Sequence, residues 1–233
     1  MTEKSKIWNH RWGNLCWQNA TPAQIDALIE KGEDVSEVHK KGFPLGYEYA
    51  TPLLSSIRAN NPVAFSHLIK KGADLNFRLP YTNLYPEGPR HGNSSIITEA
   101  PSLIYIKYAY KKGMKVYPED FRDVIKHKGK RTNEKLSFLV DIFEKRKNSQ
   151  ESLKVLSYFP LIDDEAFKKQ HFSKLLENVK IEDLQTVVKN EKENYAFKQQ
   201  VLKMITEKSK VSRRAEQNLS DTLLTATKIN TRA

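Results

Sequence analysis

Two stretches of the sequence concentrate aromatic and basic residues of the kind that bind other macromolecules. They are HKKGFPLGYEY from residue 39 and FRLPYTNLYPEGPRHGNSSIITE from residue 77. Tyrosine and arginine are enriched at the energetic centres of protein interfaces, because they combine a large contact area with polar reach. An alternative stays open, in which the tyrosines pack these segments against their neighbours and the prolines only stiffen them. The residues predicted to contact a partner are Phe43, Tyr47, Tyr49, Arg78, Tyr81, Tyr85, Arg90 and His91.

A second cluster is basic and surrounds one turn of the chain. Such side chains can meet phosphate groups or an acidic protein. No RNP-like sequence or zinc-finger spacing accompanies the cluster, so nucleic acid is the less favoured partner. This basic patch consists of Arg122, Lys126, Lys128, Lys130 and Arg131.

Catalytic signatures are absent from the sequence. It has no GxSxG, P-loop, GxGxxG or HExxH pattern, and its six histidines are scattered. The one cysteine, Cys16, lies between Leu15 and Trp17, and we expect it to be a buried structural thiol. We predict that the chain is not an enzyme and that it uses no cofactor and no metal ion.

The composition is that of a folded protein with much charged surface. Of 233 residues, 39% are hydrophobic and 29% are charged, and the formal net charge is +11. No window approaches the apolar length needed to cross a membrane, and the first residues lack the apolar core of a signal peptide. A single cysteine fits a reducing compartment. We therefore expect a cytoplasmic protein, or one delivered into a host cell without a conventional signal peptide.

The candidate residues lie between elements that recur along the chain. Three segments begin at Pro22, Pro62 and Pro118, and each carries large apolar residues three, six and seven positions after the proline. That spacing places the apolar side chains on one stripe of an α-helix. Each segment then reaches a glycine, which can take the left-handed conformation that ends a helix. The pattern predicts an internal repeat with helices near 22–31, 62–71 and 118–128.

A partner helix is predicted before each of the three, over residues 14–20, 51–60 and 100–112. Two long connections, 33–49 and 77–99, separate the pairs. The middle copy reads ATPLLSSIRANNPVAFSHLIKKGADLNFR. It resembles the ankyrin repeat, whose signature is a T-P-L-H opening, two short antiparallel helices and a G-A-D-[VL]-N end. The flanking copies keep the apolar stripe and match the signature weakly.

The resemblance implies an all-α fold: an ankyrin-like solenoid of stacked helical hairpins with long inter-repeat loops and a helical C-terminal cap. In that family the loops form finger-like hairpins beside a concave surface, where partners bind. We expect residues 1–131 to hold the repeats and 132–208 to hold degenerate repeats or a helical cap. Residues 209–233 read as a polar tail with one short helix at most.

The resemblance also implies a function. We expect a scaffold or adaptor that binds a partner protein of unknown identity through its concave face and fingers. Stand-alone chains with degenerate ankyrin repeats are common in intracellular bacteria and viruses, which suggests a host-directed effector of an intracellular bacterium. The other class is a basic helical-repeat protein that binds nucleic acid or anionic surfaces, and a steep loss of affinity with added salt distinguishes it.

Overall fold

The structure is a computed structural model that describes residues 12, 15–43, 46–85, 88–127, 131–189, 199, 201–206 and 208–210. The chain forms two compact units, Met1–Leu139 and Val140–Ala233, and the division falls within one helix. The boundary predicted between residues 131 and 132 lies at the start of that helix.

Helices make up most of the described chain, which confirms the mostly helical fold, and four strands depart from the all-α prediction. The elements in chain order are α1 (Pro22–Glu30), β1 (His39–Phe43), β2 (Gly46–Ala50), α2 (Pro52–Arg58), α3 (Pro62–Lys70), β3 (Leu79–Tyr85), β4 (Gly88–Ser94), α4 (Ile96–Glu99), α5 (Leu103–Lys111), α6 (Pro118–His127), α7 (Thr132–Arg146), α8 (Ser149–Leu156), α9 (Glu165–Glu177) and α10 (Ile181–Lys189). A short 3-10 helix, Phe159–Leu161, follows α8, and residues 201–206 and 208–210 are helical.

Side-chain caps begin the first three helices. The Thr21 hydroxyl accepts a hydrogen bond from the backbone N–H of Gln24 at 3.3 Å, and the Thr51 hydroxyl accepts one from Leu54 at 3.1 Å. Proline follows each cap in the first turn, where its missing N–H costs nothing because that donor has no partner within the helix. The cap of α3, Asn61, also donates from its amide to the backbone oxygens of two residues before α1, at 2.9 and 3.0 Å.

The ends of α1, α3 and α5 share one pattern of backbone hydrogen bonds. At the end of α3, Gly72 N–H donates to the carbonyl of Ile69 and Ala73 N–H donates back to Leu68. The equivalent bonds close α1 around Gly32 and α5 around Gly113, at nearly equal spacing along the chain. All three glycines have positive φ, which residues with a Cβ adopt only at a cost.

The third copy of this helix end is therefore not on the helix that the sequence pattern indicated. A helix does run from Pro118, as α6, but the recurring end lies at Gly113, so α5 takes the place predicted for residues 118–128. The preceding helix, α4, lies inside the predicted loop 77–99. A proline start and an apolar stripe suit any amphipathic helix, so they did not distinguish α6 from α5. Gly129, the predicted stop, lies outside the described residues.

Polar side chains connect each repeat to the next through the turn that follows its glycine. The Asp34 carboxylate accepts from the N–H of Ser36 at 2.9 Å, and the Asp74 carboxylate accepts from the N–H of Asn76 at 2.8 Å, as aspartate in a turn typically does. Ser36 in turn accepts from the N–H of Asp74 at 2.9 Å. One repeat later, the Asn76 side chain accepts from the N–H of Lys115 at 2.8 Å. The same link therefore occurs twice, at equivalent positions.

The core of the first unit lies between two rows of helices. The helix α2 contacts both α3 and α4, α4 contacts α6, and α1 contacts α3. The predicted apolar stripes are buried in part: Ile25, Phe65, Leu68 and Phe121 are each at most 2% exposed, and the other stripe residues of α1 and α3 are half-buried. Burial of these stripes is the main favourable term for such hairpins, because each helix alone leaves its apolar side in water.

The start of the first unit differs from the sequence prediction. Residues 15–21 form turns rather than the expected partner helix at 14–20. A segment this short does not offset the cost of starting a helix, and Trp12 is buried nearby with its indole N–H donating to the carbonyl of Asp34 at 3.1 Å. Cys16 is exposed, so its prediction as a buried thiol is wrong.

The second unit is helical throughout its described elements. The helices α8 and α9 form a hairpin, and α10 contacts α8. The amide of Asn178 donates to the carbonyl of Glu144 at 3.1 Å, and both Ser149 and Gln150 donate to the carboxylate of Asp183. Apolar periodicity in the sequence predicts helices over 133–146, 149–159, 164–178 and 181–190, and these ranges coincide with α7 to α10 to within a few residues. Within the described chain, no helix combines the length and the apolar character required to cross a membrane.

Candidate partner-binding surface

The two long connections of the first unit are β-hairpins. Strands β1 and β2 pair antiparallel from His39 opposite Ala50 to Phe43 opposite Gly46, and β3 pairs with β4 along their whole length. Strands β2 and β3 also pair, with Tyr47 opposite Thr82. Two connections that are separated in sequence by α2 and α3 thus form one four-stranded antiparallel sheet, in the order β1-β2-β3-β4.

The pairing register divides the predicted contact residues between the two faces of this sheet. Directly opposed residues share a face, and so do residues two apart on one strand. Phe43 is opposite Gly46, Gly46 is opposite Asn83, and Asn83 is opposite Arg90. One face therefore holds Phe43, Tyr81, Tyr85 and Arg90, which we call the Arg90 face, and the other holds Tyr47, Tyr49 and His91.

The Arg90 face is the one that continues into the core at the base of the hairpins. Ala50, Leu79 and Ser94 lie on this face by register and are 6%, 7% and 1% exposed. On the opposite face at the same level, Pro80 is exposed and Tyr49 is half-buried. The sheet is therefore attached to the helices through one face, and the predicted aromatic residues extend outward from that attachment.

Only the backbone of most predicted contact residues is described. The side chains of Phe43, Tyr47, Tyr81, Tyr85, Arg90 and His91 lie outside the described part of the structure. Their assignment to a face follows from the strand register alone.

Arg78, which directly precedes β3, has a different role from the other predicted contact residues. Its guanidinium lies 2.6 Å from a carboxylate oxygen of Asp120 and 3.8 Å from one of Asp123, and it stacks over the Tyr117 ring at 4.9 Å. Asp120 is only 1% exposed. Burial raises the pKa of Asp120 above its ordinary value, although the Tyr117 N–H and the Arg78 charge oppose the rise. Arg78 thus holds the start of the second hairpin to α6.

A second polar cluster holds the other end of the same hairpin. The Ser94 hydroxyl donates to a carboxylate oxygen of Glu99 at 2.6 Å, and the Arg58 guanidinium lies 3.4 Å from the same oxygen. Burial acts to raise the pKa of Glu99, but the charge of Arg58 and the hydrogen bonds from Ser94 and Arg58 outweigh it, so the pKa lies below its ordinary value. The carboxylate therefore stays ionised between β4, α2 and α4.

A buried lysine completes this cluster. Lys135, in the first turn of α7, is 3% exposed, and its ammonium donates to the carbonyl of Thr98 at 2.7 Å. Removal from water lowers the pKa of Lys135 to about 8, against the opposing charge of Glu99. Sequence reasoning missed these residues, because a lysine and a glutamate between apolar helices look like surface residues until the packing is known.

The predicted basic patch carries less free charge than its sequence indicates. Arg122 donates to the Asp123 carboxylate at 3.0 Å, and Arg131 lies 3.6 Å from Glu134. Lys126 is exposed. Two further members of the patch, Lys128 and Lys130, lie outside the described residues.

The described histidines do not gather into a metal site. His67 on α3 lies 2.9 Å from Asp26 on α1, and Lys71 lies 2.8 Å from the same carboxylate oxygen. These contacts connect two neighbouring helices. Across the described part of the chain, no three His, Cys, Asp or Glu side chains are grouped so that they could hold a metal ion.

Comparison with protein-family models, with curated proteins and with solved structures gives no significant match to this chain.

Proposed function

We propose that the first unit is an ankyrin-like stack of helical hairpins whose two β-hairpins bind a partner protein. Support for the stack comes from the equivalent ends of α1, α3 and α5 and from the repeated link between successive turns. The resemblance of residues 50–78 to the ankyrin signature points the same way.

One observation carries the binding proposal: two connections that are distant in sequence form a single sheet. Their register brings Phe43 from the first hairpin and Tyr81, Tyr85 and Arg90 from the second onto one face. Pairing of the strands fixes the backbone positions of these residues relative to one another before a partner binds. Such pre-organisation reduces the entropy lost when a complex forms.

The anchoring contacts at the base of the second hairpin fit this role. Arg78 is tied to α6, and Ser94 is tied to Glu99, so both ends of the hairpin are fixed to helices. A binding surface needs a rigid scaffold to hold its contact residues in place. The two buried polar clusters hold the base of the sheet in place. The partner contacts that we propose are the residues further out along the strands.

The proposal is tested with a face-directed pair of variants. Partners are first recovered by cross-linking to the wild-type full chain. Their affinity is then measured for the wild type and for a variant with Tyr81→Ala, Tyr85→Ala and Arg90→Ala. The matched control carries Tyr47→Ala, Thr82→Ala and His91→Ala, which alter the opposite face of the same two hairpins. We expect the first variant to lose about 30-fold or more in affinity, as removal of interface centres does, and the control to stay within about threefold.

A folded first variant that keeps every partner at wild-type affinity refutes the proposal, and so does an equal loss in the control. Circular dichroism of both variants establishes that they fold. The rival class, a binder of nucleic acid or anionic surfaces, is supported by the net charge of +11. It predicts a steep fall of affinity with salt that neither face variant changes. The ion pairs of Arg122 and Arg131 within the basic patch weigh against it.

A further inference from the structure

The second unit contains a cleft between α9 and the helical segment 201–206. Its volume is 560 Å³, within the range of roughly 300–1,000 Å³ typical of small-molecule sites. Basic side chains from both elements line it, namely Lys168 and Lys169 from α9 and Lys203 from the later segment. The cleft lies in a different unit from the hairpin sheet, so an inference about it is independent of the proposed function.

The charge of the cleft is positive. Among the described residues that line the cleft, Glu165 is the one acidic residue, and its carboxylate lies 2.5 Å from the Lys168 ammonium. That pair leaves the charges of Lys169 and Lys203, which are both exposed to solvent, to face a ligand. Two ammonium groups match the two negative charges of a phosphate monoester, and each can donate charge-assisted hydrogen bonds to its oxygens.

The remaining lining is apolar and held in place. Phe172 packs edge-on against Phe159 with ring centroids 5.8 Å apart, and Met204 is 1% exposed. Ser173, beside Phe172, adds a hydroxyl that can donate to a phosphate oxygen. A ligand with an anionic group and a carbon framework would therefore meet cations at the opening and fixed apolar side chains beneath them.

We infer that this cleft binds a phosphate monoester through Lys169 and Lys203, with the carbon framework of the ligand against Phe172 and Met204. A ligand there contacts both α9 and the 201–206 segment. Because such a ligand binds the folded second unit and not the unfolded chain, the unfolding temperature of that unit rises as the ligand concentration increases.

The test uses the full chain and isothermal titration calorimetry. The probes are a nucleoside monophosphate, a sugar phosphate, their dephosphorylated counterparts, inorganic phosphate, and phosphatidylcholine vesicles with or without phosphatidylinositol 4-phosphate. We expect the phosphorylated probes to bind and the dephosphorylated ones not to bind. Binding of the soluble monoesters identifies a free metabolite as the source, whereas binding confined to the phosphoinositide vesicles identifies a lipid headgroup.

Charge variants locate the binding in the cleft. Replacement of Lys169 and Lys203 by glutamine should weaken binding about tenfold or more, because two charge-assisted contacts are lost. The control, Lys145→Gln with Lys154→Gln, removes the same charge from exposed positions on α7 and α8 and should leave affinity within about twofold. All four lysines are exposed, so both variants should fold.

The inference is overturned if no phosphorylated probe binds the wild-type chain, or if the control loses as much affinity as the cleft variant. Equal binding of phosphorylated and dephosphorylated probes also overturns it. These outcomes do not depend on the Arg90 face, since the Tyr81, Tyr85 and Arg90 variant is expected to bind the phosphorylated probe as the wild type does. A chain that binds no phosphate monoester and a chain whose sheet binds no partner protein therefore give different results in these experiments.

Discussion

The two units of this chain end their helices by different means. All nine glycines of the sequence precede residue 130, and three of them end helices at φ values of 87°, 90° and 100°. In the second unit, α7 is followed by Lys147 at φ 51°, and α9 ends at Asn178 in the right-handed region. In the first unit, α1, α3 and α5 thus share one glycine ending, whereas none of the described helices of the second unit ends at a glycine.

The links between helices show the same difference. In the first unit, Ser36 and Asn76 occupy equivalent positions and accept equivalent backbone hydrogen bonds. In the second unit, Ser149 and Gln150 converge on Asp183 in an arrangement that does not recur among the described residues there. The two units therefore differ in whether the hydrogen bonds between their helices recur at equivalent positions.

The largest expected effect comes from a cap that also joins the first two repeats. Asn61→Ala removes the cap of α3 and leaves the carbonyls of Trp17 and Ala20 without their amide donors. We expect a loss of about 3 kcal/mol in the free energy of unfolding, since a cap, one buried acceptor and one partly buried acceptor are affected. All three tryptophans precede residue 20, so urea unfolding followed by tryptophan fluorescence reports on this unit.

The matched change in the second unit is Asn148→Ala. Asn148 caps α8 by accepting from the N–H of Glu151 at 3.0 Å in an exposed position. Loss of a local cap should cost about 1 kcal/mol, measured by circular dichroism. Equal losses for the two variants would contradict the view that caps in the first unit also connect repeats.

A pH dependence of similar size arises in the first unit. The pKa of Lys135 is about 8 in the folded chain and 10.5 when unperturbed, so only the unfolded chain binds this proton between those values. The contribution of Lys135 to the free energy of unfolding is therefore fully present above pH 10.5. It is lost, by about 3 kcal/mol, as the pH falls to about 8. The measurement is urea unfolding of wild type and Lys135→Met at several pH values across this window.

Lys135→Met serves as the reference because it keeps the length of the side chain and removes the amine. The difference in unfolding free energy between the two proteins should change with pH in that window and stay constant below it. A constant difference throughout would refute the role of the buried ammonium. In the second unit, the pKa of the buried His171 is lowered by burial, so its contribution is present above its ordinary pKa of 6.5 and is lost as the pH falls.

A smaller effect tests the glycine endings directly. Gly72 has φ 90°, and a Cβ built there meets no atom within 4 Å, so the cost of Gly72→Ala comes from the backbone and not from crowding. We expect a loss of about 1.5 kcal/mol, because an L-residue strains in that conformation. Fluorescence-detected unfolding checks it, and Ala73→Gly is a control for a change of glycine content beside the turn.

The smallest effect should have the opposite sign. Lys147→Gly places glycine at the left-handed position that ends α7, relieving strain at φ 51°. The gain should be about 0.5 kcal/mol, since the extra freedom of glycine in the unfolded chain offsets part of it. Stability is measured by circular dichroism. A loss of stability in the Lys147→Gly variant would contradict the expectation that glycine is favoured at the left-handed position that ends α7.

Sequence alone predicted the features that rest on local chemistry. The cap at Thr51, the turn role of Asp74 and a single apolar face on each of α1 and α3 follow from residue types at fixed spacing. Helical periodicity also placed α7 to α10. These predictions succeeded because hydrogen bonds and apolar faces within one helix depend on residues close in sequence.

Features that depend on pairing between distant segments could not be predicted. Nothing in GYEYA or LPYTNLY indicates that β2 pairs with β3, so the division of the aromatic residues between two faces could not be predicted. The four residues of α4 are too few to show helical periodicity and fall within the predicted loop 77–99, although Ser95 and Thr98 form a capping box there. The Arg78 and Lys135 contacts required the packing of α6 and α7 against earlier elements.

The recurring link from Ser36 to Asp74 and from Asn76 to Lys115 has a consequence for protein engineering. Each turn presents a side-chain acceptor to the following repeat and a backbone donor to the preceding one. A duplicated stretch from residue 35 to residue 74, inserted in register, would offer the same acceptor and donor at its two junctions. The first unit could therefore be lengthened by whole copies, and each added copy would bring another β-hairpin to the sheet side of the chain.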